Sequence, residues 1–189
     1  MERVFADTNV LFPFSIMDLL LGMAEDGIHE FIWSGDLLDE WERVIVSSMQ
    51  RSAQSAASIT AAIREFFADG EIPRSSYAAE IDEMPSPDVD DRKHIAAAKA
   101  GRATVLLTKN LKDFPAAPLL ELSIRVLDID SYLGEQLAVS PEQLLWTASR
   151  IAGEKRRPPM SLGEWLGAVA RAGAPTFVAR FQQMFGEAG

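Results

Sequence analysis

Four stretches of this chain carry side chains able to do chemistry, and three of them do so with carboxylates. Asp7 stands directly after the apolar run Val4-Phe5-Ala6 and is followed by Thr8-Asn9. Glu40 lies in Asp36-Leu37-Leu38-Asp39-Glu40, one step before Trp41. Asp88, Asp90 and Asp91 crowd into four residues ahead of Arg92-Lys93-His94. The fourth stretch, Thr108-Lys109-Asn110, adds a hydroxyl and a carboxamide, with Asp113 shortly before Pro115. Carboxylates at close quarters repel one another, a cost that a cation removes. Hard cations such as Mg²⁺ take oxygen ligands and keep several waters, so a few carboxylates suffice. Asn110 can add a neutral carbonyl oxygen or a hydrogen bond to such a water.

Each of these residues also has a plainer role open to it. Asp-Thr-Asn suits a turn or a helix cap. Three acids at a helix start favour the positive end of its dipole, and Asp36, Asp39 and Glu42 do the same or face solvent. Periodicity alone does not separate Glu40 from a surface glutamate, and Asp113 suits a loop-fixing role before the proline.

Position depends on the elements that carry these groups. Arg3 to Ala6 is a short buried strand with Asp7 at its carboxyl end. Leu11 to Met23 has helical spacing and stops near Asp26-Gly27. Phe31-Ile32-Trp33 is a second strand, and Ser34-Gly35-Asp36 offers capping groups for a helix from Leu37 to about Met49. Apolar positions 37, 38, 41, 44 and 45 define its buried stripe, with Glu40 near the edge. Ser52 to Ser58 is expected to be a connector, Ile59 to Ala68 a helix, and Pro73 to Pro87 irregular. An Ala-rich helix opens at Asp91 and ends at Gly101. Val105-Leu106-Leu107 is the clearest buried strand, placing Thr108 and Asn110 on the same sheet edge as Asp7, and Arg125-Val126-Leu127 is the last. Strands alternating with helices predict an α/β fold, a central parallel sheet covered on both faces in three layers, α/β/α. Such sheets gather their sites at the carboxyl ends of the strands.

The last third changes character. Ser140-Pro141-Glu142-Gln143 and Ser161-Leu162-Gly163-Glu164 are helix-start patterns, and Pro175 opens a final helix through Phe185. Lys155-Arg156-Arg157-Pro158-Pro159 separates the first two. The expected division is a domain over 1–130 and an extension of about three helices over 131–189.

Composition narrows the classes. With no cysteine, disulfides and cysteine zinc sites are excluded, and two histidines, His29 and His94, make no histidine-rich metal site. A net charge of −10 argues against a protein that coats nucleic acid with a basic surface. It leaves room for an enzyme that meets phosphate through a bound cation, which reverses the local sign of charge. The apolar run Ile16 to Ala24 is short and interrupted by Asp18, so no membrane span is expected. The first residues lack the layout of a signal peptide, and a soluble cytoplasmic protein is the expectation. There is no Gly-rich phosphate fingerprint and no Gly-x-Ser-x-Gly elbow. Trp33, Trp41, Trp146 and Trp165 are expected in the core or at an interface rather than as platforms for bases.

Taken in order, Asp7-Thr8-Asn9-Val10-Leu11, the Glu40 helix, Asp88-Val89-Asp90-Asp91-Arg92-Lys93-His94-Ile95-Ala96-Ala97-Ala98 and Leu107-Thr108-Lys109-Asn110-Leu111-Lys112-Asp113-Phe114-Pro115 resemble the PIN-domain family. The likeness is to its VapC-like toxins, in particular a bacterial branch with an Asn-Leu-x-Asp-Phe-Pro ending and a helical C-terminal extension. No single motif is specific; the four in this order carry the resemblance, over about residues 1 to 130. It implies a Mg²⁺ or Mn²⁺ site on Asp7, Glu40 and Asp91, with Asp88 close by. Asn9, Thr108, Asn110 and Asp113 would support it. Arg92, Lys93, Lys109 and Lys112 flank the acids, where holding an RNA backbone and simple solvation of a helix face are both open to them, and His94 is placed to approach a phosphate or base, though a packed or surface histidine is the commoner role. The implied activity is hydrolysis of RNA by a hydroxide that leaves a 5′-phosphate. Implied partners are RNA, a small antitoxin inserting a basic side chain into the acidic groove, and a second copy in a homodimer. Many PIN domains read Thr-x-Asp where this chain has Asn110. That departure keeps open a catalytically silent module that binds a protein, and kinship of PIN domains with flap nucleases keeps open a DNA-directed nuclease.

Overall fold

The computed structural model describes residues 1–48, 51–156 and 158–186. Its strands are β1 (Glu2–Ala6), β2 (His29–Ser34), β3 (Glu71–Ile72), β4 (Val105–Leu107) and β5 (Arg125–Leu127). The helices are α1 (Thr8–Leu11), α2 (Phe14–Glu25), α3 (Gly35–Ser47), α4 (Ala53–Phe66), α5 (Val89–Ala100), α6 (Ala116–Glu121), α7 (Ile129–Val139), α8 (Pro141–Glu154), α9 (Leu162–Arg171) and α10 (Pro175–Phe185). Met49, the expected end of the third helix, and Arg157 lie outside the described residues.

The chain divides into two compact units. One is Met1–Phe12 with Glu30–Leu127, the other Pro13–His29 with Asp128–Gly189. The first holds a five-stranded sheet of order β3-β2-β1-β4-β5. The pairs β1–β4, β4–β5 and β2–β3 are parallel, with Ala6 opposite Leu107 and Leu107 opposite Leu127. Successive side chains of a strand point to opposite faces. Val4, Phe5 and Ala6 are all fully buried, as are Val105, Leu106 and Leu107, so both faces of the central strands are covered. That is the α/β arrangement expected of near-continuous apolar strands.

From β1 the chain builds outward through β2 and β3 on one side, then returns to lay β4 and β5 on the other. The order therefore reverses between β1 and β4, the place where α/β sheets gather their sites. Asp7 and Thr108 are the first residues past these two ends. The backbone N–H of Asp7 donates to Leu107 O at 2.8 Å and that of Thr108 to Leu127 O at 3.1 Å, continuing the ladder by one residue.

Helix α3 is capped by Ser34, whose hydroxyl accepts from Leu37 N at 3.3 Å. It buries Leu37, Leu38, Trp41 and Ile45, the stripe read from the sequence. Helix α5 buries His94 through Ala98 in succession. Helix α4 begins six residues before its expected start, because the Ser52 hydroxyl caps it through Ser55 N at 3.2 Å and alanine favours helix. The stretch before Pro87, expected to be irregular, holds two 3₁₀ turns at Arg74–Ser76 and Ala78–Glu83.

In the second unit, α2 starts after Pro13, which lacks the N–H a continuous helix from Leu11 would need. It packs with α8 and α9, and α10 packs with α7 and α9. Ion pairs tie α2 to α8 and its end, with Arg150 on Glu25 at 3.0 Å and Lys155, just past α8, on Asp18. Among the described residues four helices follow the last strand rather than about three, α7 being the addition. Its buried positions Ile129, Tyr132, Leu133 and Leu137 keep helical spacing. Trp33, Trp41 and Trp165 are buried, whereas Trp146 on α8 is 65% exposed and takes no part in the core. Among the described residues no helix is long and apolar enough to cross a membrane.

Candidate active site

Asp7 occupies the cap position before α1, yet its carboxylate makes no capping bond to that helix. Its side chain is almost fully buried instead. Oδ2 accepts from the Thr108 hydroxyl at 2.9 Å and from the Asn9 carboxamide. The turn role that Asp-Thr-Asn suggested is therefore not what this carboxylate does. Asn9 locks the two loops together, since its Oδ1 accepts from Lys109 N at 2.9 Å. Thr108 completes the frame by accepting from Asn110 N at 3.0 Å.

Helix α5 carries the acid cluster, and its three aspartates separate by role. Asp88 is the N-cap, its Oδ1 accepting from Asp90 N at 2.8 Å. Asp90 is exposed and pairs with Lys93 at 2.5 Å, which holds it below the usual carboxylate range. Asp91 is half-buried, and burial together with the negative charges of Asp7, Asp88 and Asp113 lifts its pKa to about 6. Asp91 thus feels like charge from its own helix start and from the segments that follow β1 and β4.

Glu40 reaches the site from α3. Its Oε2 lies 3.3 Å from Nε2 of His94, and that contact chiefly holds Glu40 below its ordinary pKa. The other ring nitrogen, Nδ1, lies 3.3 Å from Asp7 Oδ1, close enough for charge attraction but not aimed as a hydrogen bond. Burial alone would push the imidazole down. The two carboxylates outweigh it and take it up to about 9. The ring also packs against Phe5, centroids 5.9 Å apart. His94 stands one turn after Asp91 on the same helix, so i to i+3 spacing was the signal that it shares a face with the acids. Nothing in the sequence indicated that it would lie between Asp7 and Glu40.

The remaining residues fall around this centre. The Asn110 carboxamide donates to Asp113 Oδ2, so these two act as one unit at the loop after β4. The Arg92 guanidinium donates to Ser86 O at 2.6 Å. Lys109 carries its ammonium partly desolvated, which lowers its pKa. A groove of about 800 Å³ opens between α3 and α5, walled by Asp36, Asp39, Glu40, Glu42, Asp90 and His94, with Arg43 and Lys93 its basic members. It shares Glu40 and His94 with the site but does not extend to Asp7 or Asp91.

Among the described residues, no three Asp, Glu or His side chains come together closely enough to hold one ion between them. The donor set still suits a hard divalent cation, being made of carboxylate and carboxamide oxygens with no sulfur. Mg²⁺ is commonly held by one or two carboxylates plus waters and substrate phosphate, not by an all-protein cage. The mutual repulsion centred on Asp91 is the electrostatic condition that such an ion relieves.

A family model described as the PIN domain matches residues 3–112, and one described as the VapC50 C-terminal domain matches residues 129–183. No curated protein and no solved structure matches the chain.

Proposed function

The chain belongs to the PIN-domain family and ends in a segment of the VapC50 C-terminal-domain type, and on that premise we propose that it is a divalent-metal-dependent endoribonuclease, the toxin of a type II toxin–antitoxin pair. The chemistry is assigned to residues 1–130, with 131–189 as a helical extension. The observation that carries this proposal is the buried Asp7 carboxylate, held by Thr108 and Asn9 where the strand order reverses, with Asp91 on α5 near enough to feel its charge. Asp7, Glu40 and Asp91 would hold Mg²⁺ or Mn²⁺, with Asp88 close by. When bound, the ion supplies positive charge to the transferring phosphoryl group and lowers the pKa of a water.

The chain's own residues prepare that site. Thr108 and Asn9 hold Asp7 in one orientation, and burial of Asp7 keeps its charge unscreened. Lys109, Lys93 and Arg92 flank the acids and would take the RNA backbone, where phosphate contacts position a substrate without reading its sequence. The five carboxylates of the α3–α5 groove favour a basic segment of an antitoxin, by charge complementarity. A homodimer is part of the same proposal, tested by light scattering.

Asp7→Asn should leave the fold intact and cut RNA cleavage by about a thousandfold, the rate equivalent of losing several kcal/mol of charge stabilisation. Equal cleavage by this variant and the wild type would remove Asp7 from the site. Parallel RNA and DNA substrates separate the ribonuclease from a DNA-directed nuclease. A second reading, a silent protein-binding module, is favoured by the Asn110 carboxamide being spent on Asp113. It requires a wild-type chain that neither cleaves RNA nor takes up Mn²⁺.

A further inference from the structure

His94 is 2% exposed, and its ring nitrogens face two different carboxylates, Nδ1 toward Asp7 and Nε2 toward Glu40, each at 3.3 Å. These acids come from separate elements, the residue after β1 and helix α3, so no local backbone geometry keeps them in register. Imidazole suits the task because it places two nitrogens on different edges of one rigid ring. Thr108 and Asn9 already hold Oδ2 of Asp7, which leaves Oδ1 as the oxygen that His94 meets. We infer that His94 is a positioning residue that sets Asp7 and Glu40 against each other, one at each ring nitrogen, ahead of any ion. The inference rests on the pocket being the ion site proposed above.

The alternative is that His94 only fills volume against Phe5. A phenylalanine would occupy that volume and offer neither the charge attraction to Asp7 nor the contact with Glu40, so His94→Phe separates the two roles. An outer partner of a metal ligand typically contributes about 10- to 100-fold in metal affinity.

Two measurements on the full chain test this. The first is the ¹H–¹⁵N spectrum of the His94 ring in the metal-free protein, recorded for wild type, Asp7→Asn and Glu40→Gln. The second is Mn²⁺ titration calorimetry of wild type and His94→Phe. The expected result is that Asp7→Asn moves chiefly the Nδ1 resonance and Glu40→Gln chiefly Nε2, while His94→Phe binds Mn²⁺ about 10- to 100-fold more weakly. Ring resonances indifferent to both substitutions overturn the inference. So does a folded His94→Phe that binds Mn²⁺ as tightly as wild type, and in either case the ion site itself stands. If the wild type takes up no Mn²⁺, the ion-site proposal fails and the positioning role falls with it, a failure visible in the wild-type trace alone. Should His94→Phe not fold, the ring spectra decide.

Discussion

Replacing Thr108 by valine keeps the shape of a fully buried side chain and removes one hydroxyl. That hydroxyl donates to Asp7 Oδ2 at 2.9 Å and accepts from Asn110 N at 3.0 Å. A hydrogen bond to an ionised group contributes about 1.5–3 kcal/mol to stability, and leaving the carboxylate short of a partner forfeits it. For a chain of this size each kcal/mol corresponds to about 2–4 °C, so Thr108→Val should melt about 3–12 °C below wild type. Asp7 would then be steered on its Oδ2 side by Asn9 alone, and the loop carrying Asn110 and Asp113 would keep only its bond from Lys109 N to Asn9. Disturbing the partner of a metal ligand costs about 10- to 100-fold in affinity or activity, the expected fall in Mn²⁺ binding and RNA cleavage. Thr108→Ser keeps the hydroxyl and should recover most of both. The assays are thermal denaturation, Mn²⁺ calorimetry and cleavage of labelled RNA. A valine variant that matches wild type in all three would refute the claim that Thr108 orients Asp7.

Other substitutions probe each unit separately. His29 is buried beside the Tyr132 hydroxyl, and burial pushes its pKa down to about 4, offset only in part by a backbone contact with Leu20. The unfolded chain takes up this proton near pH 6.5 and the folded chain only near 4. Its contribution is therefore intact above pH 6.5 and lost as pH falls to 4, by about 3 kcal/mol. His29→Gln should flatten the stability profile in that window; an unchanged slope in denaturant melts would contradict it. At Gly70 an added Cβ would sit 2.2 Å from Phe31 O, a backbone atom that cannot swing away. Gly70→Ala should cost about 1–3 kcal/mol, as overpacking does. Gly35→Ala, with open space around it, should be neutral or stabilise by up to about 1 kcal/mol, and urea unfolding of the pair checks both. Asp130 on α7 caps α10, accepting from Thr176 N at 3.1 Å and Phe177 N at 2.7 Å. Asp130→Ala should cost about 0.5–2 kcal/mol, seen as faster hydrogen exchange in the first turn of α10.

Much of the sheet was legible because its central strands are short apolar runs that end at polar residues. Val4-Phe5-Ala6 and Val105-Leu106-Leu107 are buried on both faces, so no alternation was needed to find them. The two-residue β3 was not legible, since Glu71–Ile72 is too short for any period to show. Helix α4 was shortened in the sequence because serine suggests a connector, while here Ser52 serves as a cap. Helix α7 had a readable stripe and a capping Asp128, whose Oδ1 accepts from Ser131 N at 2.8 Å. It was hidden by following the strand Arg125–Leu127 after one residue. Within the candidate site, residue types identified the acids but not their division of labour. Asp7 and Asp88 are both cap-position aspartates, and only three-dimensional partners show that one caps and the other does not. The contact of His94 with Glu40 joins residues 54 positions apart through tertiary packing, which no local pattern encodes.

The most direct test of the central claim is calorimetric titration of Mn²⁺ into the wild-type chain and into Asp7→Asn under the same buffer. Saturable binding in the wild type that the asparagine variant loses is the expected result. Binding of equal strength in both chains, or none in either, would mean that Asp7 holds no cation and that the acid cluster is not a nuclease site.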